Sequence, residues 1–228
     1  VLSMFVGYAS NPGQILALLL SIPGVLIAIT FHEYAHAWTA YKLGDDTAKS
    51  QGRLSLNPLK HMDPIGIVML LFLGFGWGRP VEIDSRNFNR NISVRKAEAI
   101  VSIAGPLANF ILAIVFSAIY GALIKFNALT SMDTRTALTI ITILQSIISI
   151  NIGLGVFNLI PLPPLDGSKV LSYFLPYNAR NWFENNQQIF YIIFLIIWIT
   201  GIAGTIISPA ITSIYYGLMK LVSLVFGL

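Results

Sequence analysis

Long apolar stretches, separated by short polar segments, dominate the chain. Five of them approach or exceed the roughly twenty apolar residues that a helix needs to cross a bilayer. These predicted spans are Gln14 to about Lys42, 98–124, 136–160, 189–207 and 209–227. The last one also fits a tight hairpin or an interfacial helix, because it begins at Pro209 after almost no loop. The pattern predicts an all-α polytopic membrane protein with about five spanning helices.

A set of shorter features lies between the first two predicted spans. Residues 65–76 are apolar but too few to cross a bilayer, so they predict a short re-entrant or shallow segment. Residues 53–56 and 79–84 alternate between polar and apolar positions, as strands do, and Pro80 is typical of an edge strand. The sequence therefore predicts small membrane-associated β-strands beside the re-entrant segment.

The composition agrees with a membrane protein and limits its chemistry. Of the 228 residues, 55% are hydrophobic and 11% are charged, whereas an ordinary soluble domain has about 25% charged residues. The chain has no cysteine, so metal ligands must come from three histidines, ten carboxylates, or backbone and water oxygens. We expect no nucleic-acid partner, because the net charge of +4 is modest and reflects membrane topology.

The basic residues orient the predicted spans. Nine of the fourteen Lys and Arg residues lie between Lys42 and Lys96. By the positive-inside rule, residues 42–97 face the cytoplasm and the N-terminus lies outside. Residues 161–187 then return to the cytoplasmic side. The end of the first span and the segment after the third span are therefore predicted to meet at one membrane face.

The sequence His32-Glu33-Tyr34-Ala35-His36 lies inside the first predicted span. Residues four apart share a helix face, so the two imidazoles can reach one metal ion. Glu33 lies about 100° around the helix, where it can act on a water molecule at the metal. Ionisable groups in an apolar setting are costly unless they are functional. The alternative is a hydrogen-bonded polar cluster at the membrane interface.

A catalytic zinc site needs a third protein ligand. The candidates are His61, Asp63, Asp45, Asp46 and Asp166. Asp166 follows a segment in which Pro161, Pro163 and Pro164 prevent a regular helix, so its carboxylate sits on a rigid turn. It fits equally well as the N-cap of a helix that starts near Gly167. The spacing alone does not choose between a ligand and a cap.

Three motifs occur in order on three predicted spans. They are residues 31–37 around the paired histidines, 105–109 (Gly-Pro-Leu-Ala-Asn), and 158–167, which ends in Leu-Asp-Gly. In these motifs the sequence resembles the site-2 protease family of intramembrane zinc metalloproteases, in a compact form without PDZ or CBS domains. The likeness covers about residues 14–175. It implies a single membrane-embedded metalloprotease domain over 1–228, with a catalytic core at 14–175 and a C-terminal helical pair at 189–228.

The resemblance also implies roles for individual residues. By likeness to the family, His32, His36 and Asp166 bind one zinc ion, and Glu33 activates water. Asn158, eight residues before Asp166, is expected to steady the oxyanion or the substrate backbone. Two further residues match the family's glycine–asparagine element. They are Gly105 and Asn109, which we expect to pack against the zinc-binding helix or, as the sharper alternative, to touch the substrate. For His61 a structural role is expected.

The implied function is zinc-dependent intramembrane endopeptidase activity. The expected substrates are single-span membrane proteins, cut in the lipid bilayer of a prokaryotic plasma membrane near their cytoplasmic end. A helical substrate must be unwound, and strands at 53–56 or 79–84 could hold it by β-addition. A regulatory membrane protein that holds the enzyme inactive is compatible with the sequence. The alternatives are a non-catalytic metal-binding scaffold or chaperone, and a metal transporter.

Overall fold

Helices make up most of the described chain. The computed structural model describes residues 12–73 and 77–228. The α-helices in these ranges are α1 (Pro12–Lys42), α2 (Thr47–Ser50), α3 (Pro64–Leu73), α4 (Val94–Lys125), α5 (Thr134–Asn158), α6 (Asp166–Phe174), α7 (Tyr177–Asn185), α8 (Gln187–Ile199) and α9 (Ile202–Phe226). Two short 3-10 helices, Pro58–Lys60 and Ser85–Asn87, lie in the loops. The predicted all-α class is confirmed.

Four helices in the described ranges are long and apolar enough to cross a membrane. They are α1 from Ile15 onward, α4, α5 and α9. The first three correspond to the spans predicted at 14–42, 98–124 and 136–160. The helix α4 begins four residues earlier than its apolar stretch, at Val94, because Ser93 takes the N-cap position before a polar first turn. The chain is therefore polytopic, as predicted.

The C-terminal pair differs from the prediction. The expected span at 189–207 ends early, because α8 stops at Ile199 and is too short to cross a bilayer. Gly201 has a positive φ of 75°, a conformation that glycine adopts readily, and it turns the chain into α9. Pro209 therefore lies inside α9 and not at its start. The break between the two helices comes from the glycine, so the predicted boundary at 208–209 is wrong.

The predicted β-strands do not form in the described residues. Residues 53–56 are bends and irregular chain, and 79–84 is irregular chain without a partner strand. The single pairing is an isolated antiparallel bridge between Met62 and Gly78. Side chains take the place of a partner strand along 79–84, since the N–H groups of Val81 and Asp84 donate to carboxylates elsewhere in the fold. The alternating pattern predicted strands at these positions, and in the described residues that prediction is wrong.

The segment expected to be re-entrant has its two ends side by side. Its helix α3 starts after Asp63, whose Oδ1 accepts from the N–H groups of the first turn, and residues 74–76 lie outside the described ranges. The Met62–Gly78 bridge then closes the hairpin. Gly66 packs directly on the backbone of Trp77, where a Cβ would overlap the carbonyl. Both ends of 64–78 thus lie at one level of the fold, as a re-entrant segment requires.

The core lies where α1, α4 and α5 pack against one another, with α6 against α4. One apolar cluster of Ala113, Ile148 and Ile152 joins α4 to α5, and side chains of α9 cover it. A second cluster, around Ala40 and Val101, joins α1 to the start of α4. These two clusters hold α1, α4 and α5 together on either side of His32 and His36.

Candidate metal centre

The two histidines of the first motif face the same side of α1. His32 and His36 are 5% and 6% exposed, so both rings are buried between α1 and α4. Their Nε2 atoms are 3.0 Å apart. The four-residue spacing predicted this shared face.

Asp166 brings the third donor atom to the histidines. Its Oδ2 is 3.2 Å from His32 Nε2 and 3.2 Å from His36 Nε2. The residue is the first of α6, whose N-cap is Leu165. Of the two alternatives left by the sequence, the structure therefore shows the carboxylate at the histidines and not as a cap. His32, His36 and Asp166 are the one group of potential metal ligands that converges within the described ranges.

Hydrogen bonds behind the rings settle which nitrogen carries the proton. His36 Nδ1 lies 2.7 Å from the carbonyl oxygen of Val101, which can only accept, so Nδ1 is protonated. His32 Nδ1 lies 2.7 Å from Asn109 Oδ1 and donates in the same way. In the neutral rings both Nε2 atoms then present lone pairs to Asp166 Oδ2.

This arrangement fits a bound cation. Lone pairs and a carboxylate oxygen at 3.0–3.2 Å repel one another unless a positive charge lies between them. Asp166 Oδ2 is buried and has no hydrogen-bond partner, which is costly for a charged group. Tetrahedral zinc with bonds of 2.0–2.1 Å places its ligand atoms about 3.3 Å apart. Two imidazoles and one carboxylate are also a donor set that catalytic zinc uses.

Asn109, on α4, links the histidine-bearing helix α1 to α5. It is fully buried, and its amide group donates to Ala28 O and to Asn151 Oδ1, both at 3.0 Å. These two bonds fix its orientation, so that Oδ1 must face His32. Asn151 is itself held by a bond to Ile147 O. Asn151 was not predicted from the sequence, although a polar side chain in the middle of an apolar span is a signal of a buried network.

Gly105 makes room for both rings. A Cβ built on Gly105 would overlap His36 Nε2, and it would lie 2.7 Å from Cε1 of His32. The prediction that Gly105 and Asn109 pack against the histidine-bearing helix agrees with this geometry. The contacts go further, because both residues touch the imidazoles themselves.

Glu33 lies beside the three donors and does not join them. The residue is half-buried, and its Oε2 accepts a hydrogen bond of 2.8 Å from the N–H of Val81. Segment 79–84 therefore passes this carboxylate at Val81. A free carboxylate beside three potential metal ligands is an arrangement that suits peptide hydrolysis.

A comparison with known families decides the identity of this arrangement. The profile of the family described as Peptidase family M50 matches residues 20–201, which include all three donors. The chain belongs to peptidase family M50.

The relatives of this M50 peptidase are named as zinc metalloproteases. It is 37% identical over 208 residues to YwhC of Bacillus subtilis (strain 168), a match that covers 89% of this chain and 90% of that protein. It is 29% identical over 185 residues to Rip2 of Mycolicibacterium smegmatis (strain ATCC 700084 / mc(2)155), covering 80% and 67% of the two chains. No solved structure gives a significant match. The protein is a zinc metalloprotease of the site-2 type and a multi-pass membrane protein.

The approach to Asp166 in the M50 peptidase depends on a close backbone contact. A Cβ on Gly167 would overlap the carbonyl oxygen of Leu159, so the start of α6 lies directly on the end of α5. Asn158, the last residue of α5, donates from Nδ2 to Leu154 O at 3.1 Å within its own helix. This bond holds the amide at the helix end. Its role in catalysis stays a prediction.

The other ligand candidates of the M50 peptidase serve the fold. The ring of His61 is fully buried and bonds Ser55 O, and burial lowers its pKa. Asp63 caps α3, as described above. Asp46 precedes α2 without capping it through its side chain. A structural role for His61 agrees with this placement.

Asp45 is the fourth of these candidates and has the densest set of bonds. Its buried carboxylate accepts from the backbone and hydroxyl of Thr47, from the Asn87 side chain and from the N–H of Asp84. Burial works to raise the pKa of Asp45, but these hydrogen bonds together lower it. Asp45 thereby ties the end of α1 to the loop after 79–84.

Proposed function

We propose that the protein is a zinc-dependent endopeptidase that hydrolyses peptide bonds in or near the transmembrane segments of other membrane proteins. The observation that carries this proposal is the convergence of Asp166 with His32 and His36, two residues of a helix that is long and apolar enough to span the bilayer. A protease with its metal in such a helix reaches substrates that lie in the membrane. Single-span proteins in the lipid bilayer are the substrates that this geometry suits.

His32, His36 and Asp166 are the proposed zinc ligands. Zinc held there would polarise the scissile carbonyl and lower the pKa of water to about 7. The protein contributes the fixed orientation of both rings, since Asn109 and Val101 hold their Nδ1–H groups. Gly105 keeps the space that the rings need.

Glu33 is the proposed general base. It is one residue from His32 on α1, and its carboxylate is half-buried beside the three donors. In this role Glu33 takes the proton of the attacking water and passes it to the leaving amine nitrogen. It binds no metal, which leaves the carboxylate available for proton transfer.

Asn158 is the proposed donor to the oxyanion or to the substrate backbone. It stands at the end of α5, where the chain breaks into the proline-rich turn that leads to Asp166. A donor of this kind contributes about 3–4 kcal/mol to the stability of the transition state. The amide must then turn away from Leu154 O when substrate binds.

The segment 79–84 is the proposed holder of the unwound substrate. It passes Glu33 at Val81. Among the described residues no hydrogen bond is made by the backbone groups of Glu82 and Ile83, so they are available to an added strand. A substrate helix has its own backbone bonds, and replacing them with bonds to this segment offsets the cost of unwinding.

The active site is proposed to face the cytoplasm of a prokaryotic cell. The site lies at the end of α1 that leads into the basic segment 42–96. The positive-inside rule places this segment in the cytoplasm. A second membrane protein that blocks access to the site is compatible with the open polar loops on this side.

The test compares the wild-type protein with Glu33→Gln in reconstituted bilayers. Both are incubated with a panel of purified single-span membrane proteins, and zinc content is measured on the same samples. Glu184→Gln is the matched control, because Glu184 is an exposed carboxylate that bonds Ser172 and Arg180 on α6 and α7. We expect wild type and control to cut within or beside the span. Glu33→Gln is expected to keep one zinc and to cut nothing.

Two results contradict the proposal. If wild type binds zinc and cuts only soluble peptides, the membrane substrate class is wrong. If Glu33→Gln cuts as fast as wild type, the assignment of the base is wrong. Loss of bound zinc in His36→Ala, but not in Glu33→Gln, separates the ligands from the base.

A further inference from the structure

Arg53 is a buried cation that the mechanism above does not use. It lies in the loop after α2 and is 5% exposed. In the described ranges no carboxylate lies within ion-pair distance of its guanidinium, and its Nε has no hydrogen-bond partner. Burial lowers the pKa of Arg53, and the negative charge of Glu33 opposes this shift. Burying an unpaired guanidinium costs free energy, so the hydrogen bond that Arg53 does make needs an explanation.

That contact is to the backbone beside the proposed base. Arg53 Nη2 donates to the carbonyl oxygen of Arg79. The N–H of Arg79 donates to His61 O at 2.8 Å. Both backbone groups of Arg79 are therefore held, one by a buried side chain and one by the neighbouring loop.

Pro80 transmits this restraint to Val81. The carbonyl that Arg53 holds belongs to the peptide group before Pro80, and the N–H of Val81 belongs to the peptide group after it. The proline ring fixes φ, so ψ of Pro80 is the one soft torsion between the two groups. The N–H of Val81 then donates to Glu33 Oε2 at 2.8 Å. A short rigid path thus leads from the guanidinium to the carboxylate.

We propose that Arg53 is a positioning residue for Glu33. It fixes the peptide group between Arg79 and Pro80, and through Pro80 it aims the Val81 N–H that holds the Glu33 carboxylate. This assignment rests on the proposed role of Glu33 as the general base. A misplacement of about 1 Å in a reacting group lowers a rate about 100-fold, so a fixed orientation of the base matters.

A second hydrogen bond in the same loop serves as an internal reference for the effect of Arg53. The N–H of Asp84 donates to Asp45 Oδ2 at 2.8 Å, and this bond does not involve the peptide groups on either side of Pro80. If Arg53 acts through the Arg79–Pro80 peptide group, its loss affects the Val81 bond and spares the Asp84 bond. If Arg53 only closes the loop, both bonds weaken together.

The first experiment measures amide hydrogen exchange at Val81 and Asp84 with residue resolution, in detergent, on the full chain. In Arg53→Gln we expect Val81 to exchange about 10-fold faster and Asp84 to be unchanged. Arg90→Gln is the control, because Arg90 is exposed in a nearby loop. Unchanged exchange at Val81, or an equal rise at both amides, would overturn the proposal. This readout does not require activity.

The second experiment measures cleavage with the same variants. In Arg53→Gln we expect kcat to fall about 10- to 100-fold, while KM and zinc content stay at wild-type values. Arg53→Lys keeps one donor for the single bond to Arg79 O, so we expect kcat within about 3-fold of wild type. Arg53→Lys also serves as the test variant if Arg53→Gln does not fold. An equal loss in both variants contradicts the positioning role.

The two proposals fail in different ways. If wild type and Arg90→Gln cleave none of the substrates, the endopeptidase proposal fails and the exchange result still decides the role of Arg53. If both cleave and Arg53→Gln cleaves equally well, the role of Arg53 fails and the endopeptidase proposal stands.

Discussion

Gly105 on α4 lies directly against the imidazole of His36 on α1, with no space for a Cβ between them. This contact places the glycine motif of the second span in the metal site itself. Helix packing alone would need only a small residue. The ring contact requires glycine.

Gly105→Ala is expected to displace both rings and to abolish zinc binding at stoichiometric metal. The added Cβ overlaps His36 Nε2, the atom proposed to hold the metal, and the hydrogen bonds at Nδ1 of both rings oppose their moving aside. Zinc per protein, measured by mass spectrometry, is the readout. Gly204→Ala is the control, because nothing lies within 4 Å of a Cβ at that position. Full zinc content in Gly105→Ala would show that the rings adjust.

Asn109→Ala is expected to weaken zinc affinity about 10- to 100-fold, because a group that orients a ligand histidine contributes on this scale. The substitution removes the acceptor of His32 Nδ1–H and also the bond to Asn151. Competition with a chelator of known affinity measures the change. Asn178→Ala, at an exposed position of α7, should match wild type. An unchanged affinity in Asn109→Ala would mean that water replaces the amide oxygen.

Removing the metal is expected to lower the thermal stability of wild type. Without a cation, Asp166 Oδ2 is a buried charged atom that lacks a hydrogen bond. Zinc at about 1,000 times its dissociation constant stabilises a folded protein by about 4 kcal/mol. Unfolding is followed with and without a chelator, and again after zinc is restored. His36→Ala should show no response to the chelator, and an equal response there would place the zinc elsewhere.

The stability of the fold is expected to depend on the ionised form of Asp45. Hydrogen bonds lower the pKa of Asp45 in the folded state, below an unfolded value of about 3.9. The contribution is therefore present above pH of about 4 and is lost as the pH falls through the folded pKa. Wild type should exceed Asp45→Asn in melting temperature at pH 6, and the difference should shrink toward pH 3.

Wild type and Asp45→Asn have the same metal ligands. The effect of acid on those ligands therefore cancels when the two melting temperatures are compared. Asp46→Asn is the control for the Asp45 experiment, because the Asp46 side chain does not cap α2. A difference between wild type and Asp45→Asn that stays constant from pH 6 to pH 3 would mean that ionisation of Asp45 does not stabilise the fold.

The sequence predicts the metal-binding geometry because helical spacing places His32 and His36 on one face, whatever surrounds them. The approach of Asp166 also follows from topology, since the basic residues bring the ends of two spans to one membrane side. Asn151 and Arg53 were not predicted. Their roles depend on partners far away in the chain, namely Asn109 and Arg79. The sequence pattern around a residue does not show which distant residues it contacts in the fold.

The errors have a similar origin. Alternation at 79–84 predicts a strand, but a strand needs a second strand, and here Glu33 and Asp45 accept the N–H groups instead. At the C-terminus the apolar run gives no sign of the turn at Gly201, because glycine is also common within membrane helices. Pro209 looked like the stronger break and lies inside a continuous helix.

The bridge between Met62 and Gly78 bears on the depth at which the proposed cleavage takes place. A ten-residue helix such as α3 is about 15 Å long, or half of the roughly 30 Å hydrocarbon layer. The Met62–Gly78 bridge returns the chain to the level it left. The segment that follows therefore reaches Glu33 from the level at which α3 began. Under the proposed function, a transmembrane substrate would meet this segment from the side, and distance from the membrane surface would set the position of the cut along that substrate.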